Sequence, residues 1–481
     1  MSHHDHSHDL PLFPHIDAGT PSRREFLKRS ALLSAVAATG APLALNLAAI
    51  GEAAAQTASD YKAIVCIFLN GGNDYANTLV PYDQSTYNAY RGLRENLAYT
   101  RDELTSTLLV PDGNGLPGGV QYALPPELLP LKRLFDERKH LAPVLNVGTL
   151  IEPTTKLQFN TKSVRIPPRI GSHNDQSSFW QSSLAEGATS GWGGRMGDLL
   201  ASGNQKSIFT CMGVGGNAVF LSGRSISQYQ IGAGGTLAVN AVKGGRLAGS
   251  QACSDLLRQI MTKTASAHLM EREYVRICER SIDSESVLTT ALTGVDVPGF
   301  ADAAENSLAA QLKMVARLIK ASGTLGLRRQ VFMVSLGGFD NHSDLKKLHP
   351  ALLTKVGSAM ASFYDATEAM GMAKNVVSFT ASDFGRTLTS NSSGSDHGWG
   401  STEFVMGGAV AGKNFIGKSP QFANNGDNDF GQGRLVPTTG VDQLAATLAK
   451  WFGLSDADIQ MVLPNIVNFD KSAWNLGFMT A

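Results

Sequence analysis

Three apolar runs in this chain end in the same way, and that repetition limits the folds open to it. Ala63 to Leu69 (AIVCIFL) leads into Asn70-Gly71-Gly72-Asn73-Asp74, and Val331 to Leu336 leads into Gly337-Gly338-Phe339-Asp340-Asn341-His342. A third run, with Val376, Val377 and Phe379, ends in Ala381-Ser382-Asp383. Runs that are continuously apolar, rather than alternating, suit strands buried on both faces of a parallel sheet. Helical patterns fall between them, at about 126–138 before a strand at 141–147 and at about 306–322 before the second run. A third helix carries Leu345, Leu348, Leu352, Val356, Met360 and Phe363 on one face, and a last one covers 438–451. The alternation predicts an α/β fold, a doubly wound and mainly parallel sheet flanked by helices. In such a fold the acidic residues gather at the carboxyl ends of the strands, where open sheets build their crevices. The long, charged, helical segment around 250–292 reads as a cap or insertion on this frame.

Size and charge are consistent with that frame and exclude some partners. A chain of 481 residues, 43% hydrophobic and 17% charged, can bury a large core. Lys plus Arg and Asp plus Glu both number 41, so no overall field points to nucleic acid or to a strongly acidic partner. The N-terminus reads as an address. Ser22-Arg23-Arg24-Glu25-Phe26-Leu27-Lys28 matches a twin-arginine (Tat) export signal, followed by an Ala-rich apolar segment from Ala31 to Ile50 and a small-residue cleavage pattern at Ala53-Ala54-Ala55. The expectation is a cleaved signal at 1–55 that engages the Tat translocase and a single domain at 56–481 in the periplasm or otherwise exported. No second run of about 18 apolar residues is available to span a membrane in the mature chain. Five histidines precede the arginine pair and would leave with the signal. Mature-chain metal chemistry then rests on His140, His173, His268, His342, His349 and His397. Cys66 and Cys211 lie in apolar runs, as small hydrophobes do, whereas Cys253 and Cys278 lie in a more polar region and could pair in an oxidising compartment.

The first three clusters of candidate site residues have a plain structural alternative. Asp74, just past a Gly-Gly turn, is placed to reach a ligand or metal, or to cap a short helix. In Gly171-Ser172-His173-Asn174-Asp175-Gln176, Ser172 is a nucleophile or a helix cap, and His173 is a ligand, an acid or a loop hydrogen-bonder. Asp340 and His342 offer oxygen and nitrogen to one point, as zinc or a similar divalent ion accepts, although the same turn could simply start a helix. Asp383 ends a strand, and Asp396-His397 follow within the same polar stretch. Neither a G-x-S-x-G elbow nor a phosphate loop is present.

Taken together, FLNGGNDYANTLVP, SHNDQSSFWQ, LGGFDNHSD, SDFGRT and DHGWG resemble a bacterial exported family catalogued as domain of unknown function 1501. That family looks like a branch of the alkaline phosphatase and sulfatase superfamily, whose doubly wound sheets carry metal ions that split phosphate or sulfate esters. The resemblance implies Asp74, Asp340, His342, Asp383 and His397 as ligands of one or two divalent ions (Zn, Mn, Ca or Mg), with Asp396 as a substitute ligand or as a partner orienting His397. It implies Ser172 as nucleophile, His173 beside it, and Arg386 neutralising an ester oxygen, the substrate being a small-molecule or saccharide ester. Two departures bear on this. Phe384 stands where the superfamily commonly has a histidine after the late-strand aspartate, and Asp340 and His342 are two residues apart rather than four. One ion or none therefore stays open, as does a non-catalytic binding or assembly protein that keeps the fold.

Overall fold

The computed structural model describes residues 61–480 except 114, 244–245 and 264–267, so the expected export leader lies outside the described residues. In chain order the strands of the main sheet are β1 (Lys62–Leu69), β2 (Leu141–Gly148), β3 (Cys211–Gly213), β4 (Tyr229–Gln230), β5 (Arg329–Leu336), β6 (Val376–Ser382), β7 (Ser401–Met406), β8 (Ile416–Gly417) and β9 (Thr439–Gly440). Their spatial order is β8-β2-β7-β6-β1-β5-β3-β4, with β9 also pairing β2. β1 lies parallel between β5 and β6, and the parallel set continues through β3 to β4. β7 runs antiparallel to both its neighbours. The sheet is thus mixed but mostly parallel.

Seven of the eight residues of β1 are buried, because helices cover both faces of the sheet. Ala63, Val65, Ile67 and Leu69 share a core with α1 (Leu129–Asp136), α6 (Ser307–Lys320) and α7 (Leu345–Ala369). On the opposite face Cys66 is aligned with Phe379, whose ring stacks on Trp192 of α3 (Trp192–Leu200) at 5.6 Å. That side also receives α2 (His173–Ser182) and α8 (Val441–Phe452). Ahead of β3, Ser207–Phe209 turn as a 3-10 helix, so that strand is short and begins at Cys211. The segment around 250–292 is two helices, α4 (Gln251–Thr262) and α5 (Leu269–Leu292). Cys66 and Cys211 are buried thiols, and Cys253 and Cys278 are free thiols rather than a disulfide. No helix of the described residues is long and apolar enough to cross a membrane.

Candidate metal centre

β6, β1 and β5 are adjacent and parallel, so their carboxyl ends open on one edge of the sheet, and the loops leaving them meet there. Two glycines make the meeting close. Gly71 adopts φ +118°, and a Cβ there would lie 2.4 Å from the Asp340 backbone nitrogen; Gly72, at φ +81°, would strike the Phe384 ring at the same distance. Only glycine lets these backbones approach so far. As a result, the Gly71 N–H donates to Asp383 (3.1 Å) and its carbonyl accepts from Arg386 (2.9 Å).

Three imidazoles converge on Asp340, and each is oriented through its Nδ1. His173, the first residue of α2, places Nδ1 2.5 Å from Asp383 Oδ2. His342 Nδ1 lies 3.2 Å from Asp396 Oδ1, and His397 Nδ1 donates to the Gly171 carbonyl at 2.7 Å. A neutral imidazole that donates through Nδ1 has a bare lone pair on Nε2. All three Nε2 atoms turn toward Asp340: His342 and His397 reach its Oδ1 at 3.1 Å each, and His173 is 3.5 Å from Oδ2. The Nε2 atoms of His342 and His397 are 2.8 Å apart. Lone pairs this close repel unless a proton or a cation stands among them. The ligand atoms of His173, Asp340 and His397 lie within 4.8 Å of one another, a spread that one divalent ion with nitrogen and oxygen ligands could draw together. Outer carboxylates and a carbonyl on the far nitrogens are the usual support of metal-binding histidines. Asp383 Oδ1 is buried without a hydrogen-bond partner, a further uncompensated acceptor at the same place.

The electrostatics follow from these contacts. Burial alone would raise the Asp340 carboxyl, but the Arg386 guanidinium, through its hydrogen bond and its charge, holds it down at about 2. Asp383 raises His173 above its ordinary value, whereas burial lowers His397. The Phe384 ring lies 4.9 Å from His173 and 4.5 Å from His397, so it forms an apolar floor that fixes two imidazole planes.

Of the residues singled out in the sequence, Asp340, His342 and His397 come together as expected, and His173 joins them as a nitrogen donor. Asp383 stands one layer out, behind His173. Asp396 also stands one layer out, but behind His342 rather than His397. Asp74 is elsewhere: it is buried, caps a 3-10 helix, pairs with buried Arg94 at 2.6 Å and accepts from Ser395 Oγ. Ser172 donates its hydroxyl to Asp175 at 2.7 Å, at the N-terminus of α2. Arg386 is fully buried, engaged by Ser395, Gly71 and Asp340, and braces the aspartate from below instead of facing an ester. Arg94, Ser395 and the Gly171 carbonyl were not foreseen. A basic residue in an ordinary helical stretch and a backbone oxygen carry no signature in sequence, although Ser395 sits beside Asp396. His140 bonds Tyr364 and His349 bonds Asn73, both away from the cluster.

No curated protein matches the chain in sequence. Among solved structures, the PsFucS1 sulfatase from Pseudoalteromonas sp. is similar at 9% identity and a TM-score of 0.34, covering 91% of this chain and 77% of that one. An alkaline phosphatase from the Antarctic bacterium TAB5 is similar at 10% identity and a TM-score of 0.27, covering 85% and 99%. At such values the likeness carries no functional argument. The family model described as "Protein of unknown function (DUF1501)" matches residues 131–464, well over half of the chain, and the chain therefore belongs to that family.

Proposed function

We propose that this is an exported, metal-dependent hydrolase or transferase acting on phosphate or sulfate esters, a saccharide being one candidate carrier of the ester. The observation that carries the reading is the convergence of three Nε2 lone pairs on Asp340, each ring held by an acceptor on its Nδ1. The set fits a divalent ion of the zinc or manganese type, with His173, Asp340 and His397 as ligands and His342, its Nε2 2.8 Å from that of His397, as a fourth. Such an ion, when bound, supplies Lewis acidity toward an ester oxygen and lowers the pKa of water.

The chain's own residues have separable tasks around that point. Asp383 and Asp396 fix the tautomers of His173 and His342, and Gly171 fixes that of His397. Arg386 keeps Asp340 ionised well below neutral pH. Phe384 closes the floor and keeps water from beneath the rings. Ser172, with its hydroxyl on Asp175, belongs to the loop that presents His173.

The test is elemental analysis of protein purified without chelator, beside the His173→Ala and His397→Ala variants, followed by assay against aryl phosphate and aryl sulfate esters. The reading expects about one equivalent of a divalent metal in the wild type and loss of most of it in either variant. Less than roughly a tenth of an equivalent, unchanged by added Zn or Mn, would sink it. A second reading, a binding or assembly protein that keeps the fold, is favoured by Phe384, an apolar ring where a further ligand is expected. It expects the metal to be present and ester cleavage to be absent.

A further inference from the structure

A groove lined by none of the residues of the histidine cluster lies at the edge strand β4, which β3 separates from β5. It measures about 590 Å³ and runs between residues 225–230, which lead into and form that edge, and the exposed half of α5. Ile208, Tyr229, Leu237 and Ile277 supply apolar wall. Leu237 is 73% exposed and Ile277 47%, although both are large and apolar. Both walls are anchored. Tyr229 packs edge-on against Phe209 at 5.0 Å, and the other end of α5 is buried through Ser284, Glu285, Leu288, Ala291 and Leu292.

Three features of the groove match one kind of occupant. The first is a free sheet edge. β4 pairs with β3 on one side, and Ile231 N–H donates to the Gly213 carbonyl on that same side. By the alternation of a parallel ladder, Gln230 directs its own N–H and C=O outward, into the groove. The second is an apolar wall opposite that edge, set on a helix. The third is charge: Arg280 is the one charged residue lining the groove, and among the described residues it has no ion-pair partner. A lipid surface or nucleic acid would need a cationic face, but residues 251–283 hold five Lys or Arg and five Asp or Glu.

We infer that the groove binds an extended, acidic peptide segment of another protein by strand addition. The peptide backbone would pair with Gln230, its apolar side chains would lie on Ile277 and Leu237, and an Asp or Glu side chain would meet Arg280. Main-chain pairing supplies affinity in this mode, and the pockets for alternate side chains supply selectivity. An open edge is otherwise a liability that proteins cover or blunt.

The experiment selects a display library of random heptapeptides, flanked at both ends, against the full chain, and measures the enriched peptides by fluorescence anisotropy. Enriched sequences should combine apolar residues with Asp or Glu. Their affinity should fall at least about tenfold for Arg280→Glu, for Ile277→Asp and for Gln230→Pro, which deletes the outward N–H at an edge position that tolerates proline. A peptide with its acidic residue changed to Lys should recover affinity for Arg280→Glu. Arg280 and Ile277 are exposed, so those variants should fold, which thermal melting checks. No enrichment, enriched peptides that bind Arg280→Glu and Gln230→Pro as tightly as wild type, or a dimer in sedimentation that Ile277→Asp dissolves, would each overturn the inference.

Discussion

Two layers of ionisable residues lie one above the other at the carboxyl edge of the sheet, and they solve the same electrostatic problem differently. In the buried layer, Asp74 faces Arg94, and Arg386 is surrounded by Ser395, Gly71 and Asp340, so each charge meets an opposite charge or a fixed dipole. The outer layer has His173, His342 and His397 around Asp340, half-exposed, with acceptors in excess of protons. A charge-paired network holds the loops in place. One built from imidazoles around a carboxylate, with acceptors in excess, is suited to a cation. The contrast predicts that damage to the lower layer reads out as stability, and damage to the upper layer as metal affinity.

The largest effect should come from Asp74→Asn. The change keeps the shape of the side chain but leaves the Arg94 guanidinium buried without a counter-charge, which costs about 3–5 kcal/mol when one partner of a buried pair is removed. Denaturant titration should show that loss, while metal content in the surviving folded protein stays at the wild-type level. A fall in metal content with stability unchanged would instead make Asp74 a ligand and collapse the two layers into one.

Sequence reading reached the upper layer better than the lower. Asp340, His342, Asp383 and His397 were legible because strand ends in an α/β sheet are recognisable from apolar runs, and polar residues just past them have few places to go. Asp74 shared that position, yet a cation twenty residues away in the chain, Arg94, claims it, and nothing in the local pattern announces such a partner. Arg386 was legible as part of the site but not its direction, since burial beneath Asp340 depends on how the loop from β6 folds back over Gly71. The sheet was foreseen as mainly parallel. The antiparallel β7 was not, because strand direction is set by the path of the connecting loops and leaves no mark on an apolar run.

The next effect separates a buried carboxylate that has a cation from one that does not. Glu403, on β7, is fully buried, and only hydroxyls accompany it: Thr380 donates at 2.7 Å, and Oε1 has no partner. Burial pushes its carboxyl from 4.5 up to about 7, whereas Asp74 beside Arg94 is held below its ordinary value. A group whose folded-state value is raised keeps a proton that the unfolded chain has already lost. Its contribution to stability is full below about pH 4.5 and is lost as pH rises through about 7. Glu403→Gln should remove that dependence, so the variant should gain on the wild type between pH 5 and 8 by on the order of 3 kcal/mol. Parallel denaturation curves at both pH values check it; equal slopes with pH in the two proteins would show that Glu403 carries no such shift.

The smallest effect on stability should come from the upper layer's outer support. Asp396 is part-exposed and accepts from His342 and Asn391, so Asp396→Ala leaves no buried charge behind and should alter stability by no more than about 0.5 kcal/mol. Its consequence lies in orientation. Without an acceptor on Nδ1, His342 is free to turn or to place its proton on Nε2, which opposes a cation held among His342, His397 and Asp340. Loss of such a partner typically weakens metal binding about 10–100-fold. Competition against a chelator of known affinity measures that change, and Asp396→Asn, which keeps an oxygen toward His342, should recover part of it. Unchanged metal affinity in Asp396→Ala, with His173→Ala and His397→Ala still losing the ion, would place His342 outside the coordination set and leave three ligands to hold it.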